Sequence, residues 1–138
     1  LQEVTLRSLV IDIIDSFDSE IAFSSNVSGD FRLFLAINAF TRVVVNLISN
    51  ALLYGDRAEL VLGANQLQIL DYGPGIPDKH KTQIFEPFFR LDQSRSALIA
   101  GSGLGLAIVS QLCSAHEWSV TVEDRNPKGS VFCFVFGD

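Results

Sequence analysis

Basic residues are few in this chain: 10 Lys and Arg stand against 16 Asp and Glu, a net charge of −6. A nucleic-acid surface needs a basic stripe, so no nucleic-acid partner is expected. Cysteine is scarcer still. Cys113 and Cys133 lie in apolar stretches without metal-ligand spacing. Two buried, reduced thiols are the expected reading, a usage that suits the cytosol. No uninterrupted apolar run approaches the roughly 20 residues that span a bilayer, and no signal peptide opens the chain. The first residue is Leu1 rather than Met. The chain is therefore expected to be an excised piece of a longer protein, whose membrane attachment stays open. Internal repeats, low-complexity tracts and linkers are also missing. What remains is a chain of 138 residues, 48% hydrophobic and with 11 Phe. That fits one domain, residues 1–138, around one core.

Apolar spacing predicts a helix from Leu6 to Phe17. The runs Glu20–Val27 and Phe31–Ile37, separated by Ser28-Gly29-Asp30, read as a β-hairpin. Asn38 is the expected N-cap of a long helix reaching about Tyr54, with Gly55 as its C′ residue. One stripe of that helix is apolar: Phe40, Val44, Leu47, Ile48 and Ala51. Another, Arg42, Asn46, Asn50 and Tyr54, recurs every four residues and so stacks on one face. Arg57–Gly63 and Gln66–Asp71 flank a second hairpin at Ala64-Asn65. Asp78 is read as the cap of a short helix up to Phe85. Residues 88–101 show no period and read as a mobile loop. Leu104 to about Ala115 is helical again, and Ser119–Glu123 with Ser130–Phe136 close the chain as a hairpin. Hairpins alternating with helices predict a two-layer α/β (α+β) sandwich with a mixed, mostly antiparallel sheet.

Four blocks carry the chemistry, in fixed order. Asn46-Leu-Ile-Ser-Asn50-Ala51 sets two amides one helical turn apart, and an amide oxygen suits a hard cation whose other ligands come from phosphates. The bland alternative is a pair of solvated amides. Asp71-Tyr-Gly73-Pro-Gly75-Ile76-Pro77 opens a glycine turn with an acid that can accept from an exocyclic amine, and its glycines let a flat ring approach the backbone. Alone it could equally be a turn after a strand. Phe85-Glu-Pro-Phe88-Phe89-Arg90 could be core plus a solvated arginine, with Arg95 beyond it in the same unpatterned stretch. Gly101-Ser102-Gly103-Leu104-Gly105-Leu106-Ala107 opens a helix whose bare N–H groups would attract phosphate. It is neither a dinucleotide fingerprint nor a Walker loop. His80 and His116 lack metal partners and read as structural or surface residues.

Taken together, the blocks resemble the asparagine, first glycine, phenylalanine and second glycine boxes of sensor histidine kinases. These belong to the superfamily that includes DNA gyrase, mismatch-repair ATPases and the large heat-shock chaperone. The resemblance runs from about Thr41 to Val109. It implies a Bergerat-type fold, its sheet covered on one face by helices, that binds ATP and Mg²⁺. By that resemblance Asp71 binds the adenine amine, and Gly73, Gly75 and Ile76 shape the base pocket with Tyr54 and Phe89. Asn50 holds the metal, with Asn46 beside it and the phosphates. Arg90 and Arg95 reach the phosphates, and Gly101, Ser102, Gly103, Leu104, Gly105 and Leu106 form the phosphate-side lid. Asn46 and Arg90 are the implied catalytic residues. The implied activity is transfer of the γ-phosphate to a histidine on a separate dimerisation domain of the same protein, with a response regulator downstream. The implied setting is cytoplasmic, and the parent is expected to be a homodimer.

Where hydrolysing relatives carry a helix-borne glutamate, this chain has Asn46. An amide is no general base at neutral pH, so transfer to an imidazole fits better than activation of water. Two departures stand out. Leu53 occupies a position that is often Lys or Arg, and His116-Glu117-Trp118 stands where His-Gly-Gly is common. Leu53 keeps open a nucleotide-binding regulatory module without phosphotransfer. A hydrolysing ATPase of the gyrase or chaperone kind is the other alternative.

Overall fold

The computed structural model describes residues 1–89 and 104–137. Strand β1 (Gln2–Thr5) leads into helix α1 (Leu6–Asp15). Then come β2 (Ile21–Ser25), β3 (Arg32–Leu35), the long α2 (Ile37–Gly55), β4 (Ala58–Leu62) and β5 (Gln66–Asp71). Two 3-10 turns follow, at Asp78–His80 and Gln83–Phe85, and then α3 (Gly105–Ala115), β6 (Ser119–Asp124) and β7 (Ser130–Val135). Among the described residues, five strands form one sheet in the order β2-β4-β5-β7-β6, and β1 and β3 pair as a separate ribbon.

The sheet alternates as a half-covered sheet must. Leu60, Leu62, Leu67, Ile69, Phe132 and Phe134 are fully buried on the helix side. Val61, Gln68, Leu70, Val131 and Cys133 lie on the other face and are half-buried. Against the inner face lies the apolar stripe of α2: Phe40, Val44, Leu47, Ile48 and Ala51 are all inaccessible to solvent. Phe40 meets Phe136 edge-on at 5.1 Å between centroids and Phe134 at 5.6 Å, with Trp118 closing the cluster. Helix α2 is long and apolar enough to cross a membrane by length and composition, with a mean hydropathy of 1.2. Its buried stripe shows why: it is the central helix of the core.

Several expectations need correction. Strands β2 and β3 are not a hairpin. β2 runs parallel to β4, and β3 pairs antiparallel with β1. Between them Val27 turns into the core, 7% exposed, and Asn26 donates its N–H to Leu62 O at 3.2 Å, which keeps the chain on β4 past the end of β2. Phe31 O then accepts from Leu6 N–H at 3.1 Å, which carries β3 toward β1. Asn38 is not the cap of α2. Ala36 is, because β3 runs almost directly into the helix, and Phe40 N–H bonds Ala36 O at 2.9 Å. Gly55 is the last helical residue rather than C′, and the left-handed residue is Asp56, at φ 61°. Asp78 lies within the first 3-10 turn, which Pro77 precedes. The reading of residues 88–101 as a loop lies almost wholly outside the described residues. Of the phenylalanines there, Phe85 and Phe89 pack on the core, whereas Phe88 is 69% exposed.

The thiols are free, Cys113 buried and Cys133 half-buried. Burial pushes Cys113 up to about 11 and Cys133 upward as well, so neither is poised as a nucleophile. His80 Nδ1 lies 2.7 Å from Gln83 Oε1, and His116 stacks on Trp118.

Candidate nucleotide-binding site

Strand β5 ends where helix α2 ends, and the two are in backbone contact. A Cβ on Gly55 would lie 2.7 Å from Tyr72 N, and one on Gly73 would lie 2.6 Å from Tyr54 O. Only residues without side chains allow that approach. The closure sets the tyrosine end of the polar α2 stripe beside Asp71.

Asp71 is 5% exposed. Its Oδ1 accepts from Gly73 N–H at 3.0 Å and from Ser130 N–H at 3.3 Å. Its Oδ2 takes neither bond. Burial raises the carboxyl above its ordinary value of 3.8, against the pull of these two amides and of the Arg125 charge. A buried carboxylate tied through one oxygen leaves the other to accept from a ligand donor. The facing wall is the turn before β7. Gly129 adopts φ +110°, and a Cβ there would fall 2.1 Å from Asp71 O. Gly75, at φ +85°, lies over Gly129 O, which would be 3.5 Å from its Cβ.

The end of the seam where phosphates are expected is built on the same helix. Asn46 Nδ2 donates to Arg42 O at 3.0 Å, back along α2. That tie turns Oδ1 outward, where a Cβ on Gly105 would sit only 3.3 Å from it. Asn46 thus touches the first residue of α3, a helix that begins without a hydrogen bond from its N-cap side chain. Such a terminus offers amide N–H groups and the positive end of the dipole. Asn50 and Tyr54 are half-buried one and two turns further along α2, between Asn46 and Asp71.

The remaining expected residues fall on both sides of this seam. Ile76, Phe89 and Leu106 are half-buried and pack on the core, with Phe89 5.3 Å from the His80 ring. Leu104 precedes α3 and is half-buried. Arg90, Arg95, Gly101, Ser102 and Gly103 lie outside the described residues. Leu53 is 36% exposed and brings no charge to this end of the helix. Sequence reasoning missed Gly129, Ser130 and Arg125. They stand far from Asp71 along the chain and reach it because β5 and β7 pair with Asp71 opposite Ser130. A glycine just ahead of the last strand, Lys128-Gly129-Ser130, was the available signal.

As to metals, no group of three or more His, Cys, Asp or Glu gathers among the described residues. The donors on the α2 seam are instead amide oxygens. Those suit Mg²⁺ that arrives with phosphate oxygens.

Comparison with known proteins agrees with this geometry. Residues 36–137 match the family model described as histidine kinase-, DNA gyrase B- and HSP90-like ATPase. The sensor histidine kinase RppB of Synechocystis sp. is 33% identical over 141 residues, covering 92% of this chain and 31% of RppB. The sensor histidine kinase WalK of Bacillus subtilis is 31% identical over 146 residues, covering 97% of this chain and 24% of WalK. This chain therefore spans a third or less of the length of these curated relatives. Among solved structures, the mycobacterial sensor histidine kinase MprB superposes with a TM-score of 0.76 at 27% identity, covering 98% of this chain and 95% of that one. The catalytic domain of histidine kinase ThkA superposes with a TM-score of 0.81, covering 96% and 92%; at 24% identity that likeness speaks for the fold.

Proposed function

This chain belongs to the histidine kinase-, DNA gyrase B- and HSP90-like ATPase family, and on that premise we propose that it is the catalytic, ATP-binding domain of a sensor histidine kinase. It binds Mg-ATP and presents the γ-phosphate to a histidine on a separate dimerisation domain of the parent protein. A response regulator would then receive the phosphoryl group. The carrying observation is the seam itself: a buried carboxylate, Asp71, closed onto the end of the helix whose Asn46 touches the start of α3.

In this reading Asp71 accepts from the adenine amine, and the Gly75 backbone gives the flat base room. Tyr54, Ile76 and Phe89 border the base. Asn50 holds Mg²⁺, which neutralises phosphate charge when bound. Asn46 Oδ1 orients the phosphate end, and the N–H groups of α3 receive it. Arg90, Arg95 and Gly101-Ser102-Gly103 complete the phosphate side, with Arg90 acting beside Asn46 on the transferred group. Phosphoryl transfer asks mainly for positioning and charge stabilisation, which such a site supplies. Asn46, an amide beside the phosphates, is no general base for water at neutral pH, and this favours transfer over hydrolysis.

The test is calorimetric titration of the chain with ATP and GTP, with and without Mg²⁺, followed by phosphotransfer to a separately supplied histidine-bearing helical hairpin. Expected are ATP over GTP selectivity, a metal-dependent affinity that Asn50→Ala abolishes, and labelled histidine. A folded chain that ignores millimolar ATP would refute the proposal. Leu53, which supplies no cation, motivates a second reading as a nucleotide-binding regulatory module. Tight binding with no transfer would support that one.

A further inference from the structure

Past the end of β6 the chain makes an unusual bridge. Arg125 follows Asp124, the last residue of β6, and its guanidinium Cζ lies 3.8 Å from the centroid of the Tyr72 ring. Tyr72 follows Asp71 at the end of β5. Strand β7 lies between β6 and β5, so one side chain spans three strands at the edge of the base pocket. The turn is closed by the backbone N–H of residue 125, which donates to Gly129 O at 3.0 Å, and the arginine side chain adds a second tie, Nη1 to Lys128 O at 2.6 Å. The tyrosine ring is itself held. Its hydroxyl donates to Glu59 Oε1 at 2.9 Å, and Arg57 lies 4.1 Å from its centroid.

We infer that Arg125 is a positioning residue of the purine pocket: stacked on Tyr72 and bonded to Lys128 O, its side chain clamps the β6–β7 turn onto Asp71. The inference rests on the reading of Asp71 as the group that binds adenine. Three observations converge on it. Gly129, next to the Lys128 carbonyl that the Arg125 side chain holds, is packed against the Asp71 backbone. Ser130, next along, donates to Asp71 Oδ1. Around the end of β5 stand Asp56 and Arg57 after α2, Glu59 on β4, and Asp124, Arg125 and Lys128 at the β6–β7 turn; of these charges it is Arg125 that draws the Asp71 carboxyl down, behind the stronger effects of burial and of the Gly73 and Ser130 amides.

The separation of charge from packing makes the inference testable. ATP affinity of the 138-residue chain is measured by calorimetry from pH 8 downward, beside a melting curve for each variant. Binding should weaken as the pH falls through the titration of Asp71, because a protonated carboxyl loses an acceptor. Arg125→Gln should move that acid limb to higher pH. Arg125→Lys should leave it in place, and Arg57→Ala, which removes a cation from the same ring, should not move it. Above the limb, Arg125→Ala and Tyr72→Leu should each weaken ATP roughly three- to tenfold, the range of a lost cation–π contact that holds a binding wall. The double variant should be no worse than either alone. An ATP affinity of Arg125→Ala equal to that of the unaltered chain, or additive losses in the double variant, would overturn the inference. Asp71→Asn separates the two levels. If it binds ATP as tightly as the unaltered chain, the adenine reading itself fails. If it binds weakly while Arg125→Ala binds as tightly as the unaltered chain, the inference alone fails.

Discussion

Asp71 is costly to the fold and valuable to the proposed ligand. Its carboxyl is raised by burial, so the folded state disfavours its ionised form. A folded value above the unfolded one means stability is lost as the pH rises through it. Asp71→Asn keeps an oxygen for the Gly73 and Ser130 amides without the buried charge. The variant should therefore melt higher than the unaltered chain at pH 7, and the gap should close as the pH falls through the raised carboxyl titration. Thermal melts at pH 7 and at acid pH check this, and the same variant should lose ATP affinity. Gly129 tests the opposing wall. Gly129→Ala meets both a left-handed φ and Asp71 O at 2.1 Å, so a loss of more than about 2 kcal/mol in urea unfolding is expected, with ATP binding damaged alongside. The acid and the turn glycines were legible in the sequence because each needs a particular residue type. Gly55 was legible only as a helix end. Its real constraint is the backbone of Tyr72, which nothing local announces.

At the scale of elements, the site depends on how α2 sits on the sheet. Its buried stripe carries the polar one with it, since both are set by a single helical repeat. Phe134 anchors that seating, packed against Phe40, Trp118 and Phe136. Phe134→Ala should cost about 3–5 kcal/mol in equilibrium unfolding. The 3-10 segment after the glycine turn is held differently. Lys81 pairs with Asp78 and lies 2.9 Å from Asp124, linking that segment to the end of β6. Lys81→Met should change global stability little, because both acid partners stand in solvent and such ion pairs contribute little. It should instead speed amide exchange in residues 78–85, measurable by mass spectrometry. Helices and the two true hairpins were readable from period and turn residues. The partners of β2 and β3 were not, because a short turn between two apolar runs looks the same whether or not they pair.

As a whole molecule, the chain is one core with a site along one seam, and binding should act on all of it. ATP at about 100 times its dissociation constant should stabilise the fold by roughly 2.7 kcal/mol in a single transition. Calorimetric melting with and without Mg-ATP checks this, and two separate transitions would contradict a single core. The amino-acid sequence settled the order of the four blocks, the buried stripe of α2, and the residue types on which the nucleotide-binding proposal rests. Those follow from local rules: side-chain chemistry, helical period and the conformational freedom of glycine. The tertiary structure decided that β2 joins the sheet in parallel, that Asp71 on β5 pairs with Ser130 on β7, and that Arg125 reaches the Tyr72 ring. Such pairings join residues distant along the chain, and their register is chosen by which apolar faces can be buried together.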